Sequence, residues 1–243
     1  MTPNESALIL LRHGQSTANA AGLFTGVMDV SLTEVGFLEA ERAASLLSAS
    51  VPGTIRILAS PMRRVRETVD VIIQSQTDGI AIFDWRLSER NYGALTGRTK
   101  SDVLQEFGPE LFRLWRRSAN VAPPPMRDAR ALQLGVNVSR FGLTESLADV
   151  IARVRECYHD AILPALTPER PLLVVAHGNS LRALCAILDH LTDEQVAELN
   201  IPTGQPLLYR LDEQGNITRP GGEYLDPATA LAASALIAHE GGT

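Results

Sequence analysis

The sequence predicts an α/β protein, a three-layer, doubly wound and mostly parallel sheet with helices on both faces. Two observations predict it. Apolar runs at residues 8–11, 55–59 and 80–83 alternate with stretches of helical period, the mark of repeated strand–helix units. The runs at 8–11 and 172–176 are continuous, as strands buried on both faces require, and each stops abruptly at His-Gly. A chain of 243 residues with 45% hydrophobic content can form one large domain, and no linker divides 1–243.

In chain order, Leu8-Ile9-Leu10-Leu11 ends at Arg12-His13-Gly14-Gln15-Ser16. A cation and an imidazole pack poorly, but they suit a site outside the carboxyl end of a parallel sheet. A turn-rich loop covers 23–29. Thr33 is placed to cap a helix through about residue 47, with Leu38, Arg42, Ala43 and Leu46 at helical spacing. After the second strand, Ser60-Pro61 reads as N-cap and first turn of a helix to about residue 74, carrying Arg63, Arg64 and Arg66.

The pattern breaks over about 85–144, which reads as a cap insertion over the first strand end. It holds an irregular segment at 87–93, short helices at 101–107 and 109–117, the stiff Val121-Ala122-Pro123-Pro124-Pro125, and a mobile loop at 134–143. A helix over about 145–163 follows, with Leu147, Val150, Ile151, Val154 and Tyr158 facing the core. Leu172-Leu173-Val174-Val175-Ala176-His177-Gly178-Asn179-Ser180 then repeats the first motif, and a helix begins near Asn179. Thr192 starts a short helix, 206–211 is the last strand, and 227–238 reads as a terminal helix in a mobile tail of about 220–243.

A net charge of -6 argues against general nucleic-acid or anionic-membrane binding, so an anion site must be a local cation cluster. The only cysteines, Cys157 and Cys185, read as buried thiols of a cytoplasmic protein. The N-terminus lacks a signal-peptide pattern, and no apolar run reaches membrane-spanning length.

One histidine at a strand end is ordinarily structural. Two His-Gly strand ends point to one pocket holding His13 and His177. Neither belongs to a His-x-x-x-His pair, which disfavours a metal site. The nucleotide-binding Gly-x-x-x-x-Gly-Lys loop and the Gly-x-Ser-x-Gly elbow are absent. The cations Arg12, Arg63, Arg64, Arg90, Lys100, Arg116 and Arg117 can bind phosphate, a neutral imidazole can attack phosphorus, and Glu89 can carry a proton. Lys100 is the single lysine of the chain.

Leu11-Arg12-His13-Gly14-Gln15-Ser16 resembles the signature of the histidine phosphatase superfamily. The finer resemblance is to the bisphosphoglycerate-dependent phosphoglycerate mutases. It rests on Leu23-Phe24-Thr25-Gly26, Ser60-Pro61-Met62-Arg63-Arg64, Glu89-Arg90-Asn91-Tyr92-Gly93-Ala94-Leu95-Thr96-Gly97 with Lys100, and Arg116-Arg117-Ser118 before the proline run. It continues in Ala176-His177-Gly178-Asn179-Ser180-Leu181-Arg182 and Leu199-Asn200-Ile201-Pro202-Thr203-Gly204. These blocks lie in order from residue 8 to about 212. Thr17-Ala18, Val27, Asn91 and a shortened segment before Glu145 depart from the family pattern.

The resemblance implies that His13 is the phosphorylated nucleophile, that Arg12, Arg64 and His177 stabilise the phosphoryl group, and that Glu89 is the general acid/base. It implies phosphate and carboxylate binding by Gly14, Gln15, Ser16, Asn19, Thr25, Gly26, Arg90, Asn91, Tyr92, Lys100, Arg116, Arg117, Gly178 and Asn179. It further implies interconversion of 3- and 2-phosphoglycerate, priming by 2,3-bisphosphoglycerate, no metal, and a homodimer or homotetramer. A broad-specificity phosphatase and a bisphosphoglycerate synthase would use the same phosphohistidine step. A non-catalytic phospholigand-binding module is the alternative from another class.

Overall fold

Six strands form one sheet: β1 (Ser6–Arg12), β2 (Arg56–Ala59), β3 (Ala81–Phe83), β4 (Leu172–Ala176), β5 (Leu207–Leu211) and β6 (Glu223–Tyr224). Their spatial order is β3-β2-β4-β1-β5-β6 in a computed structural model that describes residues 5–51, 53–75 and 80–239. The first four in that order are mutually parallel, and β5 and β6 add antiparallel pairs. Every residue of β1 and β4 is buried, which accounts for their unbroken apolar sequence.

The helices are α1 (Thr17–Ala20), α2 (Glu34–Ser50), α3 (Arg63–Ser75), α4 (Lys100–Arg117), α5 (Asp128–Gln133), α6 (Val138–Phe141), α7 (Leu147–Cys157), α8 (Leu163–Ala165), α9 (Gly178–Leu188), α10 (Asp193–Glu198) and α11 (Pro227–His239). One face of the sheet, with Ile9, Leu11, Ile57 and Val175, packs on Ala43 and Leu47 of α2 and Val65, Val69 and Ile72 of α3. The opposite face, with Leu8, Leu10, Leu58 and Val174, packs on Val150 and Val154 of α7 and Leu181 and Leu184 of α9. Helices therefore cover both faces, as the alternating pattern predicts.

Several local expectations need correction. Helix α2 buries Gly36, Ala40, Ala43, Ala44 and Leu47, while Leu38 is 63% exposed. Small residues face inward over the first turns, where Gly36 lies against the turn after β1, and Leu47 packs on the sheet further along. Helix α3 begins at Arg63, later than expected, with Arg63 N–H capped by the Asp29 carboxylate at 2.6 Å and the Ser60 hydroxyl accepting from Met62 N–H at 3.4 Å ahead of it. The helix expected over 145–163 is α7, a wider π-type turn at Tyr158–Ile162 and the short α8. The 134–143 stretch contains α6 rather than a continuous loop. Residues 220–239 hold β6 and the expected terminal helix, α11, with Ala230 fully buried and Asp226 accepting from Arg42. Residues 240–243 lie outside the described residues. The two short cap helices are the halves of α4, broken at Gly108, whose φ of 78° is followed by Pro109.

Candidate active site

Register places the two histidines together. β1 and β4 are adjacent and parallel, with Arg12 opposite Ala176, and His13 N–H donates to the Ala176 carbonyl at 3.1 Å. The next residue on each strand is a histidine, and the ring centroids are 5.0 Å apart at 65°. Both side chains are buried. Helix α9 starts directly after His177, so the positive end of its dipole lies beside the pair.

The hydrogen bonds of His13 define its tautomer. Nδ1 lies 2.6 Å from the Gly14 carbonyl, which can only accept, so Nδ1 carries the proton. Nε2 therefore presents its lone pair, and the Arg64 Nε–H donates to it at 3.2 Å. Burial, then the charges of Arg64 and Arg12, hold the His13 pKa well below its usual 6.5, against the opposing pull of the Gly14 carbonyl. The resting state is a neutral imidazole whose Nε2 lone pair accepts from Arg64.

Arg64 is itself fixed by the carbonyls of Met28 at 2.8 Å and Gly26 at 3.2 Å. Burial lowers its pKa to about 10, with Glu89 and Asp29 opposing, so it stays cationic at neutral pH. Thr68, one turn along α3, accepts from Gly14 N–H at 3.2 Å and donates to the Arg64 carbonyl at 2.8 Å. Arg12 donates to the Ile201 carbonyl at 2.8 Å. His177 Nε2 pairs with the Ser60 hydroxyl at 2.8 Å, and His177 Nδ1 has no hydrogen-bond partner among the described residues. Burial, then Arg64, depresses its pKa as well.

Glu89 lies at the edge of this group, its Oε1 accepting from Arg90 N–H at 2.7 Å and from Asn179 Nδ2 at 3.0 Å. The same Asn179 amide donates to the Tyr92 hydroxyl at 2.9 Å, and Arg182 donates to Asn179 Oδ1 at 3.1 Å. Asn179 thus links the carboxylate to the second histidine strand.

A cavity of about 220 Å³ is lined by Arg12, Gln15, Asn19, Glu39, Lys100, Pro202 and Thr203, with Ala233, Leu236 and Ile237 of α11 on one side. It brings Lys100 of the insertion to Arg12 of the sheet. Ser16 and Asn19 also form a reciprocal capping pair for α1. Thr25 is buried, and Gly26 supplies the carbonyl that holds Arg64.

Other expected binding residues are placed differently. Arg90 is fully buried and donates to the carbonyls of Glu145, Trp115 and Val121, so it braces the insertion. Asn91 is fully buried and bonds Gly142 and Gly93. Arg117 donates to Ala197 and Asn200 at the end of α10. Arg116 is buried, its guanidinium 5.0 Å from the Phe112 ring centroid. Gly178 is the first residue of α9. Sequence reasoning missed Ser60 as a partner of His177, Thr68, Glu39, and the Glu145–Arg153 pair behind Glu89. The available signal for the last was a charged residue, Arg153, on the apolar face set by Val150 and Val154.

A buried histidine pair on neighbouring parallel strands, ringed by arginines, defines a protein of the histidine phosphatase class, and residues 8–219 match the Histidine phosphatase superfamily (branch 1). The chain is 42% identical to a 2,3-bisphosphoglycerate-dependent phosphoglycerate mutase of Corynebacterium diphtheriae, over 96% of this chain and 97% of the relative. It is 45% identical to the protein of that name from Clavibacter sepedonicus, over 96% of each. The chain belongs to the 2,3-bisphosphoglycerate-dependent phosphoglycerate mutase family. Among solved structures, a mycobacterial glucosyl-3-phosphoglycerate phosphatase complexed with VO3 aligns with a TM-score of 0.68 and 27% identity, over 84% of this chain and 90% of that one. "Mycobacterial hydrolase 1" aligns with a TM-score of 0.71 and 24% identity, over 90% and 100%, a likeness of fold alone.

Proposed function

We propose that this protein interconverts 3-phosphoglycerate and 2-phosphoglycerate through a phosphorylated His13, with 2,3-bisphosphoglycerate as the priming phosphodonor. The observation that carries the reading is the His13 tautomer, with Nδ1–H committed to Gly14 and the Nε2 lone pair held against Arg64.

The cavity suits a small, doubly anionic ester. It combines Arg12 and Lys100 with the amides of Gln15 and Asn19, while the Glu39 carboxylate on its wall accepts from Gln15 N–H and the Thr203 hydroxyl. These donors match phosphate and carboxylate oxygens rather than a metal ion, and we assign no metal to the reaction. His13 Nε2 forms a bond to phosphorus as the bond from phosphorus to the leaving oxygen breaks. Arg12, Arg64 and the unpaired His177 Nδ1 spread the charge of the transferring group. Glu89 delivers a proton to the leaving oxygen. In the reverse transfer Glu89 takes the proton from the attacking hydroxyl, so a single carboxyl group serves both directions. Helix α11 and the insertion limit the access of water, which would otherwise compete for the phosphoryl group.

The edge strand β3 and the residue before it expose apolar side chains, with Ile80 and Ile82 80% and 65% exposed, and we assign this edge to contact with a second copy in a homo-oligomer. Among the described residues no helix is long and apolar enough to cross a membrane. Glycolysis and gluconeogenesis, and with them the cytoplasm, are the setting of this activity.

The test is a coupled assay with 3-phosphoglycerate, with and without 2,3-bisphosphoglycerate, while free phosphate is followed. Formation of 2-phosphoglycerate, stimulated by bisphosphoglycerate with little phosphate released, is the expected result. Phosphate release without isomerisation would replace the mutase reading with a phosphatase. Absence of acid-labile phosphate on His13 would leave a binding module.

A further inference from the structure

Glu89 is the carboxylate assigned to proton transfer, yet it belongs to no regular element. The turn at Trp85–Leu87 ends just before it and the turn at Gly93–Leu95 begins after it. A carboxylate on irregular backbone holds its position only if other groups fix that backbone.

Two residues distant in sequence do so. Arg153 of α7 projects into the segment with its side chain 6% exposed. A guanidinium has five N–H donors, and all five are used. Nε donates to Glu145 Oε1 at 2.8 Å. Nη1 donates to the Arg86 carbonyl at 2.7 Å and the Ser88 carbonyl at 2.8 Å. Nη2 donates to the Glu89 carbonyl at 3.2 Å and Glu145 Oε2 at 3.2 Å. Glu145 holds the other side of the segment. Its Oε2 accepts from Asn91 N–H at 2.7 Å, its N–H donates to the Asn91 carbonyl at 2.9 Å, and its carbonyl accepts from Arg90 Nε at 2.7 Å.

We propose that Arg153, held by Glu145, is a positioning residue that fixes the main chain at 86–91 and thereby aims the Glu89 carboxylate at the oxygen to which it gives, or from which it takes, a proton. This rests on the reading of Glu89 as the proton carrier. A purely architectural ion pair would have no reason to spend three of its five donors on the carbonyls before and at Glu89, where the only connection to chemistry is that side chain. Lysine cannot replace it, because its three donors radiate from one nitrogen and cannot span these acceptors.

The test is a double-mutant cycle on single-turnover phosphorylation of His13 by 2,3-bisphosphoglycerate, using Glu89→Gln, Arg153→Lys and the double variant of the full-length protein. Arg153→Lys is expected to slow the step on the order of 100-fold, with KM for 3-phosphoglycerate within about twofold, because misplacing a catalytic group affects rate rather than binding. In the Glu89→Gln background the same change is expected to cost less than about threefold, since the group it aims is gone. Losses that multiply, or a single-variant loss below threefold, would overturn the positioning role. If Glu89→Gln alone leaves the rate unchanged, the proton-carrier reading fails instead, and the two failures are thus separable. Circular dichroism and thermal melting report whether Arg153→Lys folds. If it does not, Glu145→Gln, which keeps the size and one acceptor of the carboxylate, enters the same cycle with the same criteria.

Discussion

Gly14 and Gly36 meet backbone against backbone. A Cβ on Gly14 would lie 2.1 Å from the Gly36 carbonyl oxygen, and a Cβ on Gly36 would lie 2.1 Å from the Gln15 carbonyl oxygen. Neither obstacle is a flexible side chain, so the first turn of α2 and the turn after β1 cannot both stay in place if either residue gains a methyl group. This contact also explains why α2 turns small residues inward.

Gly14→Ala is therefore expected to destabilise the protein by about 3 kcal/mol, at the upper end of ordinary overpacking. For a chain of this size that lowers Tm by roughly 6–12 °C. Because the Gly14 carbonyl sets the His13 tautomer, phosphorylation of His13 should fall too. Thermal melting and a single-turnover assay check both effects. Gly36→Ala should behave alike in stability, and the double variant should lose less than the sum.

Both histidines have pKa values held down by burial and by Arg64. Between their folded values and the ordinary 6.5, the unfolded chain binds more protons than the folded one. Stability then rises with pH across that window and falls on acidification, by up to about 1.4 kcal/mol per pH unit for each histidine. Urea midpoints measured between pH 7 and 5 should fall, and His177→Asn should flatten the slope. Over the same range the His13 phosphorylation rate should show no loss centred on pH 6.5, because the nucleophile is still neutral there.

Ser60 reaches His177 from the end of β2. Removing its hydroxyl leaves His177 Nε2 buried without that bond, a cost of roughly 1–3 kcal/mol. Ser60→Ala should lower the urea-unfolding free energy by that amount and slow phosphoryl transfer about tenfold. An unchanged rate would confine Ser60 to packing.

Helix α11 borders the cavity that holds Lys100 and Arg12. Deletion of 227–243 should raise the ratio of phosphate released to 2-phosphoglycerate formed at least several-fold, while single-turnover phosphorylation of His13 persists. Parallel phosphate and isomerisation assays read the ratio directly.

The sheet and its two reactive ends were legible in the sequence because β1 and β4 must be apolar on both faces, and histidine has no packing reason to follow such a run. The inward face of α2 was misjudged. Leu38 and Leu46 satisfy helical spacing, but the buried face is Gly36, Ala40, Ala43, Ala44 and Leu47, and the approach of Gly14 to Gly36 exists only in three dimensions. Ser60-Pro61 fits a local rule for starting a helix, and the rule hid a bond to a histidine far along the chain. Arg90 and Asn91 carry ligand-like side chains, yet they bind main-chain carbonyls and amides, groups every residue possesses and no sequence pattern marks. Arg153 stood out only as a charge on the apolar face of α7, and its carbonyl partners carry no sequence mark.

The backbone pairing of Asn91 with Glu145 joins the two ends of the insertion at a stem, and Phe24, Ala148 and Arg90 bond to its interior at Arg98, Ala119 and Trp115. Residues 92–144 are a closed excursion whose ends are already joined. Doubling the length of a flexible loop with fixed ends costs only about 0.6 kcal/mol. Growth or shrinkage at points of this excursion that make none of these bonds therefore leaves the spacing between Glu89 and the two histidines in place. The sheet and the Glu89 segment keep the groups assigned to phosphoryl transfer, while the excursion, which carries Lys100, is free to change which anion is admitted.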